Sequence, residues 1–205
     1  MLFLRSSIYA LFLIVTVIPY AFICLLGFPL PLHWRFKITM GWPKLAIWGA
    51  RVICGIRYQF EGWENFPDGK AIILSKHQSA WETFVYPSIF PKELCFVFKR
   101  ELLYVPFFGW ALASLKMIHI NRGDREKARA AVAAQGVEVL KEGRWIAIFP
   151  EGTRTPRGSF KPYRKGGVRL AISTQTDILP VAQNSGAIWP RKTRSEEHTS
   201  ELQSP

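Results

Sequence analysis

His77 and Glu82 stand five positions apart in the polar run Ser75-Lys76-His77-Gln78-Ser79-Ala80-Trp81-Glu82-Thr83, directly after the apolar stretch Ala71–Ser75. A histidine takes up and returns a proton near neutral pH. A carboxylate bonded to its second ring nitrogen fixes the tautomer and stabilises the imidazolium. The pair therefore suits general-base chemistry on a hydroxyl. Five positions inside one ideal helix turn two side chains about 140° apart, so contact requires His77 to precede the helix that carries Glu82. A strand-to-helix junction supplies that geometry. Ser79-x-x-Glu82 is equally a capping box, in which the same carboxylate only satisfies backbone donors at a helix start. Both readings stand on these residues alone.

A second polar run, Phe149-Pro150-Glu151-Gly152-Thr153-Arg154-Thr155, follows the apolar stretch Trp145–Phe149. Gly152 allows close backbone approach, Thr153 offers a hydroxyl, and Arg154 presents a planar fork matched to a phosphate. The plainer alternative is a Pro-Gly turn with a solvated charge pair.

Short apolar stretches alternating with helical ones must position these runs. Ala71–Ser75, Leu94–Phe98, Met117–Asn121, Trp145–Phe149 and Ile178–Gln183 read as strands. Asp124–Glu142 reads as a helix, with Ala128, Ala131, Val132, Val139 and Leu140 on one face and Gly143 as its stop. The alternation predicts an α/β sheet with ligand chemistry at the strand ends.

Ahead of that domain, the stretch between Arg5 and Arg35 carries no charge, and Ile8–Phe28 is about long enough to cross a bilayer once. It is expected to be a membrane segment rather than a cleaved signal, with Pro19 bending it or making it re-entrant. Arg35, Lys37, Lys44, Arg51 and Arg57 follow it against Arg5 alone before it, so the bulk of the chain is expected on the cytoplasmic side. Leu45–Ile56, with Trp42, Trp48 and Arg51, suits the headgroup boundary or the flank of the globular core.

With 205 residues, 49% hydrophobic and 20% charged, the chain has material for one domain plus a membrane element, and global disorder is excluded. Twenty-seven basic against 15 acidic residues, a net charge of +12, imply an anionic partner. Anionic membrane lipid and a phosphorylated substrate fit. Nucleic acid does not, because the basic residues are scattered and no nucleic-acid-binding pattern occurs. Cys24, Cys54 and Cys95 are distant and unpaired in pattern, and His33, His77 and His119 have no ligand spacing, so neither disulfides nor a metal site is indicated.

His77-x4-Glu82 with Phe149-Pro150-Glu151-Gly152-Thr153-Arg154 resembles the 1-acyl-glycerol-3-phosphate acyltransferases, also called lysophosphatidic acid acyltransferases. Lys99-Arg100-Glu101-Leu102, Pro106-Phe107-Phe108-Gly109 and Ile120-Asn121-Arg122 resemble that family's second motif, and Leu179-Pro180-Val181 its fourth. Lys165-Gly166-Gly167 also matches, so the likeness covers about Phe60 to Gly186. The family's first motif is usually Asn-His-x4-Asp. Lys76 and Glu82 depart from it, and the Glu form also occurs in acyltransferases acting on lipid A precursors.

The resemblance implies a glycerolphosphate-acyltransferase-like mixed sheet flanked by helices, behind an N-terminal membrane-associated helical segment. The implied reaction moves a fatty acyl group from acyl-CoA or acyl carrier protein to 1-acyl-glycerol-3-phosphate, forming phosphatidic acid for phospholipid synthesis at the inner membrane, with no cofactor beyond the thioester. His77 is the expected base and Glu82 its partner. Lys99, Arg154 and Arg122 are the expected phosphate ligands, and Glu151, Gly152, Thr153, Gly109 and Pro180 the pocket-shaping residues. Phe107, Phe108 and Trp110 either line an acyl channel or fill core. Another lysolipid acceptor, or a non-catalytic basic membrane-binding protein, are the alternatives.

Residues 194–205 lack periodicity and resemble the in-frame translation of a sequencing adapter. The expected organisation is thus membrane-associated helices over 1–57, a C-terminally incomplete acyltransferase domain over 58–193, and a non-native tail over 194–205. Glu196, Glu197 and His198 receive no role.

Overall fold

The computed structural model describes residues 2–106, 108–121, 123 and 125–189. The expected tail, Arg122 and Phe107 lie outside them. Five strands form one sheet: β1 (Ala71–Ser75), β2 (Leu94–Lys99), β3 (Ile118–Ile120), β4 (Trp145–Ile148) and β5 (Asp177–Val181). Their order is β3-β2-β4-β1-β5, and every pairing is parallel. The α/β sheet flanked by helices is thus present, with parallel pairings where the family likeness implied a mixed sheet. The near-continuous apolar runs of Ile72-Ile73 and Trp145-Ile146-Ala147, all buried, suit strands covered on both faces.

Helices α3 (Trp81–Ile89), α4 (Phe108–Ser114), α5 (Arg125–Lys141) and α6 (Gly166–Thr174) make the crossovers. In α5 the expected face is realised, with Val139 and Leu140 buried. Gly143 adopts φ +77° just past its end, a conformation that costs other residues strain.

The apolar N-terminal stretch is α1 (Leu2–Leu26), continuous through Pro19. It pairs with α2 (Leu32–Gly49), which ends in a π-helical turn over Ala50–Cys54. Tyr20 Oη donates to the Ile38 carbonyl and Tyr9 Oη to the Ala46 carbonyl, so the two helices run antiparallel as a hairpin. Phe12 lies against Gly49, where a Cβ would collide with its ring. The hairpin docks on the sheet domain through Trp42 edge-on to Phe84 of α3 and through Arg35 Nη1 donating to the Ser114 carbonyl at 2.7 Å. α1 is long and apolar enough to cross a membrane, with 11% of its most apolar window buried. Val52, Trp48 and Trp34 of the following segment are exposed as well.

Because β4 and β1 are parallel neighbours, with Leu74 opposite Ile148, their C-terminal loops emerge side by side. Those loops are the two polar runs.

Candidate active site

His77 leaves β1 ahead of α3, whose first turn carries Glu82. The junction brings His77 Nδ1 to 3.2 Å from Glu82 Oε2, at the long end of the N–H···O range. Glu82 is 1% exposed and the His77 side chain 14%. An ionised carboxylate only accepts hydrogen bonds, so Nδ1 is the donor, and Nε2 keeps its lone pair. The capping reading holds at the same time. Glu82 Oε1 accepts the backbone N–H groups of Gln78 and Ser79 at 3.0 and 2.9 Å, and Ser79 Oγ accepts the Trp81 N–H at 3.1 Å. Burial pushes the Glu82 carboxyl up. Hydrogen bonds from His77, Ser185 and the Gln78 backbone, with the charge of His77, outweigh that and hold it below its ordinary value.

The turn after β4 is docked onto the same residue. The Glu151 carboxylate is buried and accepts the His77 backbone N–H at 2.9 Å, while its other oxygen accepts Thr155 Oγ1–H at 2.8 Å. Thr155 N–H returns to the His77 carbonyl at 2.8 Å. Phe149 stacks on the imidazole, centroids 3.9 Å apart and planes 15° from parallel. The ring is thereby fixed in plane as well as in position.

His77 opens onto a cleft of about 1360 Å³. Its lining includes apolar side chains of the helical hairpin, α3 and α4, among them Val17, Met40, Phe84 and Phe108. It also includes Lys99, Arg129, Arg154, Arg164, Lys165 and Arg169, and no Asp or Glu is among the described lining residues. Such a lining suits an amphiphile with an anionic head.

The family model described as Acyltransferase matches residues 57–184. The chain belongs to the acyltransferase family. It is 49% identical over 163 residues to a 1-acyl-sn-glycerol-3-phosphate acyltransferase of Pseudomonas aeruginosa, covering 79% of this chain and 63% of that one. An enzyme of the same description from Borreliella burgdorferi is 34% identical over 139 residues, 67% of this chain and 54% of that one. The chain thus spans less than two thirds of the length of these relatives. The crystal structure of the 1-acyl-sn-glycerophosphate acyltransferase PlsC from Thermotoga maritima shares the fold, with a TM-score of 0.73 at 24% identity, covering 94% of this chain and 78% of that one.

Lys76, which replaces the motif's usual Asn, braces the second run: Nζ donates to the Ser159 carbonyl at 2.8 Å and lies 3.5 Å from Glu151 Oε1. The extra methylene of Glu82 is accommodated with the His77 contact intact. Of the expected phosphate ligands, Lys99 and Arg154 line the cleft and Arg122 lies outside the described residues. Gly152 and Thr153 line it too, whereas Glu151 sits behind His77. Gly109 is buried off the cleft, where a Cβ would collide with the carbonyls of Leu102 and Leu103. Pro180, expected to shape the pocket, is instead exposed on the edge strand β5, the place in a sheet where a missing N–H is tolerated. Phe108 lines the cleft, and Trp110 is 45% exposed away from it.

Sequence reasoning missed three contributors. Thr155 stands in the second run four positions from its partner Glu151, but its bond to the His77 carbonyl spans 78 positions and that of Ser185 to Glu82 spans 103, so neither of these long contacts has a local signal. Arg164 packs its guanidinium over Gly152, whose φ of +72° and missing Cβ make the room, 3.0 Å from where that Cβ would stand.

Replacing Glu151 with alanine leaves the His77 N–H and the Thr155 hydroxyl without their acceptor. We expect a loss of ~1–3 kcal/mol in unfolding free energy, measured by urea denaturation of purified protein. A loss near zero removes Glu151 as the link between the two runs.

Proposed function

We propose that the chain transfers a fatty acyl group from a coenzyme A or acyl-carrier-protein thioester to the free hydroxyl of 1-acyl-glycerol-3-phosphate, giving phosphatidic acid for phospholipid synthesis. The observation that carries this reading is the His77–Glu82 pair on a cleft whose lining combines apolar side chains with Lys and Arg. The relatives described as 1-acyl-sn-glycerol-3-phosphate acyltransferases support it.

His77 Nε2 takes the acceptor's hydroxyl proton as the oxygen attacks the thioester carbonyl carbon. The tetrahedral centre collapses, the C–S bond breaks, and the imidazolium returns its proton to the departing thiolate, giving free thiol and a neutral ring. Glu82 keeps Nδ1–H aligned throughout and offsets the imidazolium charge. Lys99 and Arg154 hold the acceptor phosphate, and the apolar lining takes the acyl chains. The further cations Arg164, Lys165 and Arg169 suit the phosphates that both thioester donors carry. α1 sits in the bilayer at the inner membrane with the catalytic domain on the cytoplasmic side, where lysolipid and soluble thioester meet.

The test is formation of phosphatidic acid and free thiol by purified chain in lipid vesicles, with each donor in turn. Arg154→Ala should raise KM for lysophosphatidic acid by ~10- to 100-fold, the worth of a charged hydrogen bond, and leave a neutral monoacylglycerol acceptor little affected. Equal losses on both acceptors contradict phosphate binding at Arg154.

A further inference from the structure

The segment after β5 folds back over the His77 run. Gln183 Nε2 donates to the Lys76 carbonyl at 2.9 Å, and Gln183 Oε1 accepts the Ser185 N–H at 2.6 Å. Gly186 N–H donates to Gln78 Oε1 at 3.3 Å, and a Cβ on Gly186 would stand 2.9 Å from Gln78. This latch places Ser185 Oγ 2.6 Å from Glu82 Oε1, shorter than the carboxylate's bonds to His77, Gln78 and Ser79. The hydroxyl is the donor, because an ionised carboxylate only accepts.

We infer that Ser185 is a positioning residue of the acyl transfer: it anchors Glu82 Oε1, draws off part of the carboxylate charge, and so sets how strongly the carboxylate holds the His77 Nδ1–H. The inference rests on the proposed reaction. Ser185 lies past the family-matched span, which ends at 184, and it is not among the residues lining the cleft, so it acts through Glu82.

The charged and titratable groups around the pair come from several elements. Glu82 faces His77 and Tyr86, whose hydroxyl is bonded to Ser75 at 2.6 Å. His77 faces Glu82 and, from the turn after β4, Glu151 on its backbone N–H, with Lys76 beside Glu151. Lys99 and Arg154 share the cleft, and α1 adds Tyr20 to it. Ser185 is neutral, so it can be removed with every charge in this set intact.

In Ser185→Ala the two backbone N–H groups still hold Oε1, so the orientation of Glu82 persists. The carboxylate charge is then shared among fewer donors, and His77 Nδ1–H binds it more strongly. That favours the imidazolium, and a protonated ring accepts no proton. The acidic limb of kcat/KM should therefore move to higher pH by ~0.5–1 unit, each unit being a tenfold change in proton affinity. Rates fall below the limb and converge with those of the unaltered chain above it. Ser185→Thr keeps the hydroxyl and should restore the limb.

The experiment measures this pH profile, and the ¹⁵N titration of the His77 ring, in the unaltered chain, Ser185→Ala and Ser185→Thr. Parallel upward shifts in the alanine chain, reversed by threonine, support the inference. A rate loss equal at every pH, with the ring titration unmoved, overturns it and leaves Ser185 a packing residue. Should the alanine chain not fold, Ser185→Cys, close in size and a weak donor, takes its place, and an unmoved ring there also overturns it. If the unaltered chain forms no phosphatidic acid, the proposed function fails, and the ring titration still decides whether Ser185 tunes His77.

Discussion

On the proposed function, His77→Ala is expected to lower turnover of lysophosphatidic acid by ~10²–10⁴-fold, the usual worth of a general base, and to leave binding to anionic vesicles unchanged. The truncation removes Nε2 and nothing else that faces substrate. The backbone ties that dock the second run, His77 N–H to Glu151 and Thr155 N–H to the His77 carbonyl, do not involve the imidazole and persist. What the fold loses is the Nδ1–H bond to the buried Glu82 carboxylate and the stack on Phe149, the stack worth about 0.5–1.5 kcal/mol beyond the buried area. Vesicle binding is expected to draw on the exposed apolar face of α1 and the basic surface, neither of which includes His77. Acyl transfer and membrane binding measured on the same preparation check both halves. Turnover retained within a few-fold removes the mechanism.

Glu82→Gln is the second large effect, again ~10²–10⁴-fold in kcat/KM. Gln keeps a carbonyl oxygen for Gln78 N–H, Ser79 N–H and Ser185 Oγ–H, so the helix start is preserved. Its amide nitrogen then takes the place of Oε2, facing His77 Nδ1. An amide NH₂ donates, so Nδ1 must accept, and the ring proton moves to Nε2, where it blocks base catalysis. Loss of rate with an unchanged thermal midpoint is the expected outcome. An unchanged rate leaves Glu82 a helix cap alone.

The parts of this site that are local in sequence were legible there. Five strands and helix α5 followed from short apolar runs and a one-sided helix pattern, because burial on both faces or one face writes a distinct period. His77 and Glu82 announced themselves by type and spacing, and so did the Phe149–Thr155 turn. The geometry left two readings of Glu82 open, and its two oxygens reach four partners, so the helix-start bonds and the His77 contact occur together. Contacts made by strand order were not legible. Glu151 meets His77 across 74 positions because β4 lies beside β1, which no local pattern encodes. Ser185 depends on a latch built after the last strand. Pro180 was misplaced by motif membership when its missing N–H already pointed to a sheet edge.

The most direct test of the central claim is the tautomer of His77, read from ¹⁵N chemical shifts and one-bond ¹⁵N–¹H couplings in histidine-labelled chain at neutral pH. The geometry requires a proton on Nδ1, shared with Glu82, and a bare Nε2 facing the cleft. A neutral ring carrying its proton on Nε2 contradicts the account, for that ring has no lone pair with which to receive the lipid's hydroxyl proton.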